Sequence, residues 1–372
     1  MHLGLMRRSA LGDVVMFSAL VEQCLRKNPD INVTWIIDPA FLPLFKSLPR
    51  LKWCPLSKPG SWKSFKTAIK TVRQYDFDVL LCAQASLRSN ALYPFIKAKR
   101  KIGFDIKRSR DGHGFFVKER IPYRDNHLIE GFAQFFEYLG LELDLTDLRW
   151  PISNFGFQKT LAGHDVLAQT KLCLDKPDGM GCQNHPTRRD LGLVVAASKA
   201  ERTWPLSHQV AFVLELMRSS AFTGSVILLG GNSSFEVKLA HELMCRCQQK
   251  LTKMQFNRLR DLVGQTTLNT LPAIIADLGC LVAPDTGPVH LARALNVPVV
   301  GLYAVARPGL SGPYGSSFTI DAYPEAAKKF LGKSLDQLQW HDRVHHSDAM
   351  SIIGPMQVLQ NSLHALSTHS RI

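Results

Sequence analysis

Leu3-Gly4-Leu5-Met6-Arg7-Arg8-Ser9-Ala10-Leu11-Gly12-Asp13-Val14-Val15, with Val33-Thr34-Trp35-Ile36-Ile37 downstream, decides the fold. Residues 3–6 are apolar and predict a buried strand, and Ser9 to Asp13 reads as a turn. From Val14 to Arg26 the apolar positions 14, 17, 20, 21 and 24 recur at helical spacing. Val33 to Ile37 is β-branched and aromatic, which predicts a second strand. The succession β–loop–α–β starts an open parallel sheet with helices on its faces. Phe77 to Cys82 adds another apolar strand.

The pattern restarts downstream. Residues 191–197, 225–229, 280–283 and 297–303 read as strands, and 208–218, 234–247, 268–276 and 289–295 as helices. Two β/α runs predict an α/β protein of two doubly wound, Rossmann-like domains. Pro177, Gly179, Gly181 and Pro186 cluster where periodicity is poor, so the join falls within 151–190. We expect a first domain over 1–185, with a linker at 151–185, and a second over 186–345. Residues 346–372 are expected to form a helix that crosses back to the N-terminal domain. Ligands of open α/β sheets bind outside the carboxyl ends of the strands. The two crevices are therefore expected to face each other across one cleft, and each loop that follows a strand is a candidate site.

Composition limits the partners. The chain has 372 residues, 45 % of them hydrophobic and 20 % charged, which excludes disorder over most of its length and suits two domains. Its 45 Lys and Arg against 31 Asp and Glu leave a net charge of +14. A surface this basic points to a polyanion: nucleic acid, phosphorylated lipid or a nucleotide-linked substrate. No run of about 18 apolar residues predicts a spanning helix. Eight cysteines lie scattered without a CxxC pair, as reduced cytosolic thiols do. Arg7 and Arg8 before Val14 to Phe17 imitate a signal peptide, but Asp13 sits beside the apolar run and no small-residue cleavage site follows, so the segment reads as mature fold.

Several loops carry candidate chemistry. In Ser9-Ala10-Leu11-Gly12-Asp13, Asp13 reads as a helix N-cap or as a carboxylate general base. In Ala283-Pro284-Asp285-Thr286-Gly287-Pro288-Val289-His290, the N–H groups of Thr286, Gly287 and Val289 are expected free at a helix N-terminus, an anion site suited to a diphosphate. Asp285 fixes that loop and His290 lies one turn on; the bland alternative is a turn with a proline near the first helical position. Ser198 and Arg202, after the first strand of the second domain, can hold phosphate oxygens or simply face water. Gly230 and Gly231 allow close backbone approach, and Glu236 either accepts from ribose hydroxyls or complements the helix dipole. Lys97, Lys99, Arg100, Lys101, Lys107, Arg108 and Arg110, with Lys58, Lys63, Lys66 and Arg88 upstream, concentrate cations in the first domain, where an anionic acceptor would enter. His341, His345 and His346 lack ligand-spaced acidic or Cys partners, so no metal site is expected. GxSxG, Walker A and HExxH are absent from the sequence.

In order along the chain, these pieces resemble glycosyltransferase family 9, the bacterial heptosyltransferases of lipopolysaccharide core synthesis. Arg8 to Val15 is similar to the family's N-terminal loop, and Trp35-Ile36-Ile37-Asp38-Pro39-Ala40-Phe41 to its second strand and exit. Lys101-Ile102-Gly103-Phe104-Asp105 is similar to its RIGFD segment. Asp285-Thr286-Gly287-Pro288-Val289-His290-Leu291-Ala292 is similar to its D-[ST]-G-x-x-H-L-A signature, and Ser311-Gly312-Pro313-Tyr314-Gly315 follows at the expected distance. The match covers roughly residues 1–140 and 190–316. Many members have Lys where Arg202 stands, and the 151–190 linker and the tail beyond Asp321 are longer than the family pattern. Met350 to Val358 resembles the family's terminal helix.

The resemblance implies a GT-B fold and an inverting, metal-independent transfer of heptose from ADP-heptose to a Kdo residue of the inner core on lipid A, with no cofactor. Asp13 would be the base. Thr286, Gly287, Asp285, His290, Arg202 and Ser198 would surround the donor phosphates, with Glu236 on the ribose and Gly230 and Gly231 in the donor loop. Arg88, Arg108, Arg110 and Lys63 would meet the acceptor. The enzyme would work at the cytoplasmic face of the inner membrane, held peripherally, and no nucleic acid is expected. The alternatives are the same fold with a UDP-sugar or another nucleotide-sugar donor, and a basic binder of lipid A or nucleic acid without catalysis.

Overall fold

A computed structural model describes residues 1–153, 190–340 and 342–369. The chain divides into two units, Met1–Ile152 with Gly309–Tyr314 and Asp336–Asp342, and Ser153–Pro308 with Gly315–Leu335 and Arg343–Ile372. The expected 151–185 linker and His341 fall almost wholly outside the described residues.

In the first unit the strands are β1 (His2–Met6), β2 (Asn32–Ile37), β3 (Leu51–Pro55), β4 (Asp76–Cys82), β5 (Lys97–Gly103) and β6 (Glu119–Arg120). They form one parallel sheet in the order β3-β2-β1-β4-β5-β6. The second unit has β7 (Leu191–Val194), β8 (Val226–Leu229), β9 (Leu259–Asp261), β10 (Cys280–Pro284), β11 (Val299–Tyr303) and β12 (Ile320–Asp321), parallel in the order β12-β11-β10-β7-β8-β9. Counted within its own unit, each sheet has the doubly wound order 3-2-1-4-5-6. Its switch point lies between the first and fourth strands: β1 and β4 in one sheet, β7 and β10 in the other.

Local sequence explains the central elements. Leu3, Leu5 and Met6 of β1 are buried, as expected for a strand covered on both faces. Gly4 has no side chain because a Cβ there would meet the Phe77 ring at 2.7 Å. Helix α1 (Leu11–Lys27) is buried almost all round. Its Phe17 packs on Trp35 of the sheet and on Phe132 and Phe136 of a second helix, with ring centroids 5.9, 5.0 and 5.8 Å away. Buried Gln23 donates to the Asp144 and Asp147 carbonyls at 2.8 and 2.7 Å, which fastens the loop across α1.

The basic run 97–101 lies in strand β5. Lys99 pairs with Asp78 at 2.7 Å, Arg100 pairs with Glu119, and Lys101 donates to the Tyr93 carbonyl at 2.6 Å. The charged heads thus reach carboxylates and a carbonyl of neighbouring segments. The terminal helix does not cross back to the first unit. Residues 355–369 pack in the second unit, against the 206–218 helix, β10 and β11. Val358, Ser362 and Ala365, on one face of that helix, are buried there. What returns to the first unit instead is 309–314, where the His127 ring meets the Gly312 carbonyl at 3.0 Å and the Tyr314 hydroxyl donates to Glu130 at 3.2 Å.

Among the described residues the six cysteines are free thiols. Burial pushes Cys24 and Cys280 up to about 12 and Cys247 to about 11, so they stay protonated and inert at neutral pH.

Candidate active site

Each switch point is lined by the loops that leave its two central strands. In the first unit these are Arg7 to Ala10 after β1 and Ala83 to Ser86 after β4. They are laced together: Arg7 Nη1 donates to the Ala83 carbonyl at 2.7 Å, the Arg8 N–H to Gln84 Oε1 at 2.7 Å, and Gln84 Nε2 to Ser9 Oγ at 3.2 Å. The N-cap of α1 is Ala10, so Asp13 is not the cap but the third helical residue. Asp13 Oδ2 accepts from the Ala10 N–H at 3.2 Å and from Arg7 Nη2. Among the described residues Oδ1 accepts nothing, and the side chain is part-exposed. The Arg7 guanidinium also lies over the Phe132 ring, 5.1 Å from its centroid. The geometry thus gives Asp13 one oxygen held in place and one open.

Arg8 is buried beside the same loop, with Nη2 on Ser89 Oγ at 3.2 Å and Nη1 on the Ser57 carbonyl at 3.4 Å. Burial pulls its guanidinium below the usual arginine value. Sequence reasoning missed both arginines as site residues. Their signal was a cationic pair directly after a strand, which also fits a charged leader.

The expected acceptor cations divide. Lys63, Arg88 and Arg110 are exposed. Each lies in a segment that follows a strand, β3, β4 or β5. Arg108 is corrected: it is a structural residue, 3 % exposed, whose Nε pairs with Asp105. Its Nη1 donates to Gln134 Oε1 at 2.7 Å and its Nη2 to the Pro122 carbonyl at 2.8 Å. A guanidinium with that many filled donors clamps the loop after β5 and leaves little for a ligand.

In the second unit the switch-point loops are 195–205 after β7 and 285–286 after β10. Trp204 is buried and donates Nε1 to the Ile353 carbonyl at 2.9 Å, and Gln209 Nε2 holds the Val195 and Trp204 carbonyls at 2.8 and 2.7 Å. The fastened loop presents Ser198 to solvent and sends Arg202 across to the other loop, where Nη1 meets Asp285 Oδ2 at 3.3 Å. Arg202 Nε is buried with no protein partner among the described residues.

Helix 287–294 starts here, with Thr286 as its N-cap. The Thr286 hydroxyl donates to the Pro284 carbonyl at 3.1 Å instead of capping the helix. Of the three N–H groups expected free, Val289 is corrected: it donates to the Thr286 carbonyl at 3.2 Å, closing the first turn. Thr286 and Gly287 remain the candidate donors. His290 is buried in the same turn. Tyr303, at the end of β11, is 1 % exposed, and its hydroxyl has no partner among the described residues. Burial raises its phenol well above the usual value; Asp285 adds to this and Arg202 opposes it, so the ring belongs to the same cluster.

Gly230 and Gly231 follow β8. Glu236 accepts the Gly231 N–H at 2.7 Å and the Ser233 hydroxyl at 2.5 Å, while Ser233 caps the helix by accepting the Glu236 N–H at 3.3 Å. A Cβ on Gly231 would meet Glu236 Oε2 at 2.9 Å. Both readings of Glu236 survive, since each carboxylate oxygen keeps a lone pair for a ligand.

His345 bonds Glu201 at 2.7 Å and His346 stacks on Phe330 at 4.0 Å. Among the described residues no group of His, Cys, Asp or Glu is placed to hold a metal ion, and no helix is long and apolar enough to cross a membrane.

Two parallel sheets of the same doubly wound order give the chain the α/β architecture of the GT-B class. The fold is shared with solved structures at low identity. A family 9 glycosyltransferase from Veillonella parvula aligns over 99 % of this chain and 97 % of its own, with a TM-score of 0.73 and 18 % identity. Escherichia coli heptosyltransferase WaaC with ADP aligns over 98 % and 100 %, with a TM-score of 0.68 and 17 % identity. In sequence, the lipopolysaccharide core heptosyltransferase OpsX of Haemophilus influenzae is 29 % identical over 364 residues, 95 % of this chain and 96 % of that one. Residues 66–339 match the pattern of glycosyltransferase family 9 (heptosyltransferase), and the chain belongs to that family.

Proposed function

We propose that this enzyme transfers heptose from ADP-heptose to a Kdo residue of the lipopolysaccharide inner core on lipid A, inverting the anomeric carbon without a metal ion. The observation that carries the reading is the Arg202–Asp285 bond, which sets a guanidinium beside the N-terminus of the 287–294 helix at the switch point. That is a cationic, donor-rich setting for a diphosphate. The likeness to a lipopolysaccharide core heptosyltransferase over nearly the whole chain supports the choice of sugar and product.

The reading assigns the acceptor to the strand ends of the first unit and the donor to those of the second. Asp13 Oδ1 takes the proton of the acceptor hydroxyl as its oxygen attacks the anomeric carbon. The bond from that carbon to the diphosphate breaks, and its electron pair leaves on ADP. Arg202 and the Thr286 and Gly287 N–H groups meet the charge that builds there, with Ser198 able to donate from the loop edge. Asp285 acts on the phosphates through Arg202, which it holds. His290 supports the same turn from below. Glu236, fixed by Gly231 and Ser233, takes the ribose, and Gly230 and Gly231 let the donor approach the backbone. Lys63, Arg88 and Arg110 meet the phosphates and carboxylates of the acceptor. A lipid-borne acceptor puts the work at the cytoplasmic face of the inner membrane, with peripheral attachment.

The test is transfer to Kdo–lipid A with ADP-heptose offered beside UDP-sugars. Heptose transfer from ADP-heptose alone is expected. Transfer from a UDP-sugar instead would reject the donor, and no transfer from any donor would reject the reading.

A further inference from the structure

Of the six large apolar side chains that the first unit leaves in water, the four most exposed lie in the segments that connect β3 to β6, while Met1 and Tyr138 lie elsewhere. Trp62 is 68 % exposed, Leu87 63 %, Ile106 76 % and Phe115 91 %. Trp62 opens helix 62–72 after β3, Leu87 opens helix 87–90 after β4, and Ile106 and Phe115 lie between β5 and β6. In a parallel sheet, segments that follow neighbouring strands leave from one end. Trp62, Leu87 and Ile106 therefore belong to the carboxyl end of the sheet, the end that also carries Asp13, and His113, two residues before Phe115, is held at that end by Asn90 Oδ1 at 2.8 Å and the Phe104 N–H at 3.3 Å. Two of the segments are tied together, since the Leu87 N–H donates to Asp111 Oδ2 at 3.0 Å and Asn90 Nδ2 to the Asp111 carbonyl at 2.9 Å.

The same segments are strongly basic. Residues 56–66, 86–90 and 104–118 hold eight Lys or Arg against two Asp. Setting aside the buried Arg108–Asp105 pair leaves seven cations against Asp111 alone. Lys66 reaches over the Trp62 ring, 5.6 Å from its centroid. Exposed apolar groups clustered and rimmed by charge mark an interaction surface. Aromatic and aliphatic tips among lysines and arginines match a bilayer surface with anionic headgroups, because the tips enter the headgroup boundary while the cations stay at the phosphates.

We propose that Trp62, Leu87, Ile106 and Phe115, with the surrounding lysines and arginines, form the surface by which this protein docks on an anionic phospholipid bilayer. The inference rests on the lipid-borne acceptor proposed above only for its purpose; the contact itself needs neither donor nor acceptor. Docking there keeps the carboxyl end of the first sheet at the membrane plane.

The test is co-sedimentation of the full chain with vesicles of phosphatidylglycerol and phosphatidylethanolamine, or of phosphatidylcholine alone, with no acceptor present. Binding to the anionic vesicles is expected, weakened by salt. In the double variant Ile106→Ser, Phe115→Ser the partition constant should fall at least about tenfold, with ADP affinity and melting temperature unchanged. Quenching of tryptophan by brominated lipid should be present in the wild type and much reduced in Trp62→Phe. Equal binding by the double variant, equal binding to both vesicle types, or no binding by the wild type would each overturn the proposal. So would a patch that serves a second copy of the chain, seen as a dimer that the double variant splits without loss of vesicle binding. A failed transfer assay would leave the vesicle result standing, and failed docking would leave transfer to a soluble acceptor intact, so the two claims fail separately.

Discussion

Asp13 shows how much one loop decides. Arg7 and the Ala10 N–H hold Oδ2, which fixes the carboxylate and leaves Oδ1 without a hydrogen bond among the described residues. The residue type and its place after the first strand were legible in the sequence. The Arg7 contact was not, because it depends on how the backbone of residues 7–10 turns. At the donor side the sequence named Arg202, Asp285, Thr286 and Gly287 separately. Their meeting follows from β7 and β10 being neighbours in the sheet, which the order of strands along the chain does not reveal. Arg202→Ala removes the guanidinium and leaves Asp285 without this partner. We expect kcat/KM for the donor to fall by about 10²–10³-fold, with the loss in kcat at least as large as in KM, as for removal of one donor to a developing anion. Steady-state kinetics against donor concentration check this. A change confined to KM would mean that Arg202 only binds.

Among the elements, the strands found from sequence are those with unbroken apolar runs: β1, β2, β4, β7, β8, β10 and β11. Those missed are edge or near-edge strands, β3, β5, β6, β9 and β12, which are short or carry charge because one flank meets water. The loop after β5 has its own clamp. His113 Nδ1 faces Asn90 Oδ1 at 2.8 Å, and Nε2 faces the Phe104 N–H at 3.3 Å. Since an N–H donates to Nε2, the proton of the neutral ring sits on Nδ1. Burial, with Arg120 adding to it, lowers this histidine to about 4. The folded protein therefore keeps His113 neutral where the unfolded chain, with an ordinary histidine near 6.5, takes up a proton. Its contribution is complete above about pH 6.5 and is lost as pH falls toward 4, on the order of 3 kcal/mol. Urea unfolding across that range should show a flatter pH dependence in His113→Gln than in the wild type. Equal slopes would mean that the folded ring takes up its proton as readily as the unfolded one.

For the molecule as a whole, two sheets of one strand order make two separate switch points, and each gathers one half of the proposed chemistry. Composition pointed to an anionic partner, and the sequence pattern to two doubly wound domains. The placement of residues 355–369 in the second unit was hidden, because an amphipathic helix at a chain end reads the same whichever sheet it covers. Arg108 was hidden for a related reason: a charge run does not say which member folds inward. If Asp13 is the base of a heptosyl transfer from ADP-heptose, losing its carboxylate slows the chemistry and spares nucleotide binding. The most direct measurement is kcat for transfer to Kdo–lipid A in Asp13→Asn beside the wild type, with ADP affinity measured on both. A loss of about 10²–10⁴-fold in kcat is expected, with ADP affinity within about twofold, as when a general base is removed from an intact site. Transfer at the wild-type rate by Asp13→Asn, with the same product, would contradict that role.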